Sequence, residues 1–162
     1  MQKINLPNIK TVQADFPQFS FGDHNVFHWS PADNCVYYVS KELSTSQGLY
    51  QLLHELGHAI CAHKNYESGV ELLKIEVEAW NMAQEIATKY SLKIDQKQID
   101  QCLDSYRDWL HLRSTCPNCD SISIETNPNY YHCFNCFQKW KVPVNQRTRH
   151  YRLKLTVPLS VR

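Results

Sequence analysis

Apolar and polar positions change period twice along the chain. Between residues 19 and 39 the apolar residues form short β-branched and aromatic runs: Phe19-Ser20-Phe21, Val26-Phe27-His28-Trp29 and Cys35-Val36-Tyr37-Tyr38-Val39. Gly22-Asp23 and Pro31-Ala32-Asp33-Asn34 separate them with turn-forming residues, so the stretch predicts a small antiparallel sheet. The spacing then turns helical. Leu49, Leu52, Leu53, Leu56 and Ile60 share one face behind a capping box at Ser44-Thr45-Ser46-Gln47, predicting a first long helix over about residues 45–63. A loop at 64–69 leads to a second helix over about 70–90. A third opens at a capping box, Asp95-x-x-Gln98, and carries Ile99, Leu103, Tyr106, Trp109 and Leu110. Residues 1–17, with Pro7 and Pro17 and little periodicity, read as a loosely ordered lead-in.

The first helix carries His54-Glu55-Leu56-Gly57-His58 in its C-terminal half. At 100° per residue, histidines at i and i+4 face the same way and can reach one Zn²⁺, with Glu55 beside a metal-bound water. Zn²⁺ lowers the pKa of that water toward roughly 7, and the carboxylate can take its proton. Chance supplies such a motif in about one chain in fifty of this His and Glu content, so its surroundings matter.

A catalytic zinc needs a third protein ligand. The second helix offers Glu71, Glu76, Glu78 and Glu85. One turn away on either side, Glu76 has only Leu72, Leu73, Ala79 and Trp80, whereas Glu78 keeps polar company that includes Lys74 and Asn81. A carboxylate in an apolar stripe is costly unless a buried cation pairs with it. Glu76 is therefore favoured, with Glu78 as the fallback ligand.

Beyond Arg113 the character changes again. Cys116-Pro117-Asn118-Cys119 and Cys133-Phe134-Asn135-Cys136 are two C-x-x-C pairs whose four thiolates can close a tetrahedral structural zinc site. Ile122-Ser123-Ile124 and Tyr130-Tyr131-His132 read as the strands of a zinc ribbon, with Trp140 and Val142 continuing it. A segment this short has little core, so metal would supply most of its folding free energy.

Composition narrows the function. The chain has 162 residues, 43% hydrophobic, enough for one substantial core and a small satellite module. A formal charge of +1 creates no global field directed at nucleic acid or membrane. No apolar run approaches a membrane span, and the N-terminus lacks the apolar core of a signal peptide. Seven cysteines, with Cys35, Cys61 and Cys102 standing singly, argue for reduced thiols and a cytoplasmic protein. From Lys141 to Arg162 there are six basic residues and no acidic one, with Tyr130, Tyr131, Phe134, Phe137 and Tyr151 nearby. Nucleic acid is thus a candidate partner, although a charge run is more often only a solvated face.

Leu53-His54-Glu55-Leu56-Gly57-His58-Ala59, followed by Glu76-x-x-Ala79-x-x-Met82-Ala83, resembles the ImmA/IrrE-type metallopeptidase domain over about residues 16–90. Trp80 stands where that family usually has Asn or Asp. The resemblance implies a gluzincin-like zinc peptidase with His54, His58 and Glu76 as ligands and Glu55 as general base. It also implies a specific regulator protein as substrate. A SprT-like peptidase is a second resemblance. It would prefer a third histidine, and His63, five residues past His58 on the same helix, would point about 140° away from the site.

The expected fold is α+β, a small antiparallel sheet packed on a helical zincin-like core. The domains expected are a lead-in (1–17), a peptidase domain (18–113), a zinc ribbon (114–142) and a basic tail (143–162). The expected function is peptide-bond hydrolysis with one catalytic and one structural Zn²⁺. The alternative is a non-catalytic zinc-ribbon adaptor for nucleic acid or protein. An edge strand at Val36–Val39 would align an extended substrate. His63, Tyr66 and His111 are unresolved candidates for stabilising an oxyanion.

Overall fold

The computed structural model describes residues 7–146 and 149–156. Residues 1–6 of the lead-in, and Arg147 and Arg162 of the basic tail, lie outside them. The chain is α+β, as expected, and divides into two units: residues 1–65 with 74–99, and residues 66–73 with 100–162.

The first unit opens with helix α1 (Ile9–Asp15), inside the stretch expected to be loosely ordered. Asn8 caps it, accepting the Thr11 N–H at 3.0 Å, and Val12 is fully buried. Seven residues make two turns, too few for a helical period to stand out in sequence. The far end is tied down at Asp15, which accepts from the Tyr90 hydroxyl at 2.9 Å and pairs with Lys89 at 3.2 Å.

Strands β1 (Ser20–Asp23), β2 (His28–Ser30) and β3 (Cys35–Tyr38) form a sheet of order β1-β3-β2. β2 and β3 are antiparallel, joined by a turn in which Asn34 adopts φ 48°. Asn tolerates that left-handed region well. β1 pairs with the other edge of β3 in parallel, Ser20 opposite Cys35 and Phe21 opposite Val36. Residues 24–27 carry the chain from one edge to the other, a choice that no local apolar pattern encodes. β3 is therefore the central strand, paired on both sides, and Val36–Val39 cannot serve as the substrate-aligning edge. β1 and β2 are the edge strands.

Helix α2 (Ser46–Ile60) packs on β3 and buries Leu49, Leu52, Leu53 and Leu56 almost completely. Its cap is Thr45, one residue beyond the expected Ser44, with the hydroxyl accepting the Gly48 N–H at 3.0 Å. α2 also stops three residues short of the expected end. Ala62 takes φ 55°, the His63 N–H bonds the His58 carbonyl at 3.0 Å, and the Ala62 N–H bonds the Ala59 carbonyl at 3.1 Å. This pair of bonds is a Schellman motif, here with alanine where glycine is usual. Helix α3 (Gly69–Lys89) buries Ala79, Trp80, Ala83, Ile86 and Ala87 in the first unit. A Cβ on Gly57 would meet the Ala79 carbonyl oxygen, so glycine at this position lets α3 lie directly against the motif helix.

Helix α4 (Gln96–Ser114) leads into the second unit. There β4 (Ile124–Asn127), β5 (Tyr130–His132), β6 (Lys139–Lys141) and β7 (Leu153–Leu155) form an antiparallel sheet in that order. Ile122, expected within the first ribbon strand, makes only an isolated bridge with Thr115. The core is small: Cys116, Tyr131, Cys133, Trp140 and Val142. Arg113 is buried beside it, bonded to Asn129 at 2.8 Å, paired with Glu125 at 3.5 Å and stacked 4.0 Å from the Trp109 ring centre. A buried cation needs such partners to offset its desolvation.

Candidate metal centres

Among the described residues, two groups of side chains bring metal-ligating atoms together, one in each unit. In the first, α2 places His54 and His58 one turn apart with their Nε2 atoms 3.1 Å from each other. α3 delivers Glu76, whose carboxylate oxygens lie 3.2 Å from His54 Nε2 and 3.5 Å from His58 Nε2. All three residues are buried and their donor atoms lie within 4.8 Å of one another, so the group can hold a metal ion. Trp80 forms its apolar wall, stacked on His54 at 4.3 Å.

The charge balance there is tight. Burial pushes the Glu76 carboxyl up, but hydrogen bonds from His54 and His58, together with their charge, outweigh it and hold it at about 2. Burial likewise opposes a charged His58, and the bond and charge of Glu76, with Glu55 behind it, raise its pKa instead. The carboxylate that sequence neighbours placed in an apolar stripe is thus buried and kept anionic by groups that can carry positive charge.

Glu55 lies beside this group but is not part of it. Its Oε2 accepts the backbone N–H of Trp29, in edge strand β2, at 2.8 Å. One hydrogen bond therefore fixes the expected general base to the edge of the sheet. The Trp29 indole N–H reaches the carbonyl of His63 at 2.9 Å.

His63 is the residue that sequence reasoning misplaced. Its Nδ1 lies 2.9 Å from Nδ1 of His58, and its Nε2 lies 3.1 Å from a Glu78 oxygen. The expected 140° offset assumed that the helix continues. The left-handed Ala62 folds the chain back and lays His63 over His58 instead. The result is a line of contacts, Glu78 to His63 to His58, ending at the ring nitrogen opposite the one that faces Glu76. Glu78, the fallback ligand, sits at the far end of that line, with Lys74 3.9 Å away, and is absent from the donor group. Tyr66 and His111 belong to the second unit. His24 and His28 cluster with Tyr37 on the sheet, His28 stacked on the tyrosine at 4.5 Å.

The second group comprises Cys116, Cys119, Cys133 and Cys136, again within 4.8 Å of one another. Cys116 lies 3.6 Å from Cys136, and Cys119 lies 3.6 Å from Cys133, with every cysteine a free thiol. Each pair sits in a tight knuckle: the Asp120 N–H bonds the Cys116 carbonyl at 3.0 Å, and the Phe137 N–H bonds the Cys133 carbonyl at 2.8 Å. Hydrogen bonds from Ser121 and Asn135 pull the Cys119 thiol down to about 6, backbone N–H groups led by that of Cys136 lower Cys133, and burial pushes Cys116 up to about 11. Four thiolates this close repel one another unless a cation sits among them. His132 is not among these donors.

No family model matches the chain, and no curated protein or solved structure matches it either.

Proposed function

We propose that the protein is a zinc-dependent metallopeptidase of the ImmA/IrrE type, with one catalytic and one structural zinc. The carrying observation is the close spacing of the His54, His58 and Glu76 donors. Ligands about 2.0–2.1 Å from a tetrahedral zinc stand roughly 3.3–3.4 Å apart. His54 Nε2 and His58 Nε2 stand 3.1 Å apart, with Glu76 Oε2 3.2 Å from the first and Glu76 Oε1 3.5 Å from the second. Three donors of this kind leave a fourth position open. Sulfur ligands at about 2.3 Å stand roughly 3.8 Å apart, and four of them close the shell. The 3.6 Å separations among the cysteines suit that structural role.

Zinc held at the first centre would polarise a peptide carbonyl and acidify a water near neutral pH. The protein's own part falls to Glu55, which takes a proton from the attacking water and returns it to the leaving amine. The Trp29 N–H keeps Glu55 at the outer edge of β2, where an extended peptide can lie alongside as a further strand. A specific regulator protein, whose flexible segment can extend along that edge, suits the reading better than general digestion. A cytoplasmic site agrees with seven free thiols. Among the described residues no helix is long and apolar enough to cross a membrane.

Metal content and proteolysis of three proteins test the proposal. Wild type should carry two zinc ions per chain. Glu55→Gln should keep both and lose cleavage, and Glu76→Gln should lose one. A Glu55→Gln variant that still cleaves, or a wild type carrying one zinc and cleaving nothing, overturns the reading in favour of a non-catalytic adaptor.

A further inference from the structure

The sheet of the second unit has one filled face and one more open face. Tyr131 and Trp140 stand opposite each other across β5 and β6, and both are buried. The alternate pairs, Tyr130 with Lys141 and His132 with Lys139, point the other way. Lys141 lies over the Tyr130 ring at 5.4 Å. The His132 ring continues the row, 4.6 Å from Phe134 and 6.3 Å from Phe137. Those two phenylalanines are 61% and 66% exposed.

Phe137 adds a second observation. It follows Cys136 directly and adopts φ 60°, while Asp120 holds the matching place after Cys119 at φ 59°. A left-handed backbone suits glycine, tolerates Asp, and is costly for a bulky ring. With the residue two thirds exposed, no core packing offsets the cost. Folding stability does not account for phenylalanine here. Charge is the third observation. Residues 126–162 carry seven basic side chains and no acidic one, whereas residues 1–125 carry ten basic and sixteen acidic. The balance of +1 for the whole chain conceals this asymmetry.

A charge run alone is a solvated face, and exposed rings alone could meet any apolar partner. Here lysines and rings interleave on one surface. We propose that this face binds single-stranded nucleic acid, with bases stacking on Phe134, Phe137 and Tyr130 while Lys139 and Lys141 meet phosphates. Aromatic stacking accepts any unpaired base, and a duplex hides the base faces that stacking requires. The proposal is independent of peptidase activity.

Fluorescence anisotropy with the zinc-loaded, full-length protein tests it, using labelled oligo-dT, oligo-rU and a duplex, each roughly 16 units long. Both single strands should bind more tightly than the duplex, and the tighter of the two identifies DNA or RNA as the better ligand. Affinity should fall steeply with salt, and Lys139→Ala and Lys141→Ala should each reduce the log–log salt slope by about 0.7. Phe134→Ala and Phe137→Gly should each weaken binding roughly 5- to 150-fold. Phe137→Gly should also melt at a higher temperature, because glycine relieves the left-handed backbone. A structural phenylalanine would do the opposite. The proposal is overturned if neither single strand binds at low salt, if the duplex binds equally well, or if the doubly substituted Phe134→Ala/Phe137→Gly protein binds as wild type does.

Discussion

The two candidate metal centres are built by opposite strategies. The four cysteines come from two local knuckles, each closed within a few residues by a backbone hydrogen bond. His54, His58 and Glu76 come from two helices packed face to face, with Glu76 positioned by the close approach at Gly57. A centre made of local turns has little else to hold it. A centre made of packed helices inherits its geometry from a core that exists without metal. The buried Leu49, Leu52, Leu53, Leu56 and Trp80 form that core in the first unit, whereas two of the five buried residues in the second unit's cluster, Cys116 and Cys133, are themselves ligands.

The largest expected effect follows from this contrast. Stripping metal from the cysteines, or substituting Cys116→Ser, should unfold the second unit outright. Structural zinc in small modules contributes on the order of 10–16 kcal/mol of apparent binding free energy, far more than five buried residues can replace. The indole N–H of Trp140, held 3.0 Å from the Arg113 carbonyl, is a local reporter, and its NMR resonance should collapse to the random-coil position. His58→Ala should instead release one metal equivalent and leave the methyl dispersion of Leu49, Leu52 and Leu53 intact. If both variants unfold their units equally, the contrast between local and core-built centres fails.

The same contrast explains what the sequence revealed. The C-x-x-C pairs and the His54–His58 spacing were legible because each is a local relation, fixed by knuckle or helix geometry. Glu76 was legible one step further out, because a carboxylate among Leu72, Leu73, Ala79 and Trp80 demands a partner. His63 was not. Its position depends on Ala62 entering the left-handed region, where a sequence reader expects glycine or asparagine. Nor was the parallel pairing of β1 with β3, which depends on the path of residues 24–27 rather than on any apolar period. Helix α1 escaped because one buried side chain, Val12, makes no pattern.

A middle-sized effect tests the line from Glu78 through His63 to His58. If His58 offers Nε2 to zinc, its Nδ1 carries the proton and donates to Nδ1 of His63. That leaves the His63 proton on Nε2, directed at Glu78. Partners of this kind fix a ligand's tautomer and orientation, and their loss typically costs 10- to 100-fold in metal affinity. His63→Ala should therefore weaken zinc at the first centre by about that factor in chelator competition, with the cysteine centre unchanged. Glu78→Gln should have a smaller effect, since its carboxylate is partly exposed and the amide can still accept from His63. Complete loss of zinc in Glu78→Gln, with Glu76→Gln retaining it, would reverse the ligand assignment.

The smallest effect belongs to the far end of the first unit, where no metal contributes. Asp15 accepts the Tyr90 hydroxyl at 2.9 Å, and that bond, with help from Lys89 and against some desolvation, lowers the carboxyl below its ordinary 3.8. A carboxylate whose folded pKa is depressed adds stability at pH above its unfolded value, and that stability is lost as pH falls through the folded value. The bond anchors α1, whose only buried side chain is Val12. Tyr90→Phe should therefore lower the melting temperature slightly at pH 6. The gap from wild type should narrow as pH drops below about 3.8, because the protonated Asp15 loses most of what the tyrosine contributed. A gap that stays constant across that range would mean that the hydroxyl acts through packing rather than through the charge on Asp15. The anchoring of α1 would then rest on Val12 and Lys89.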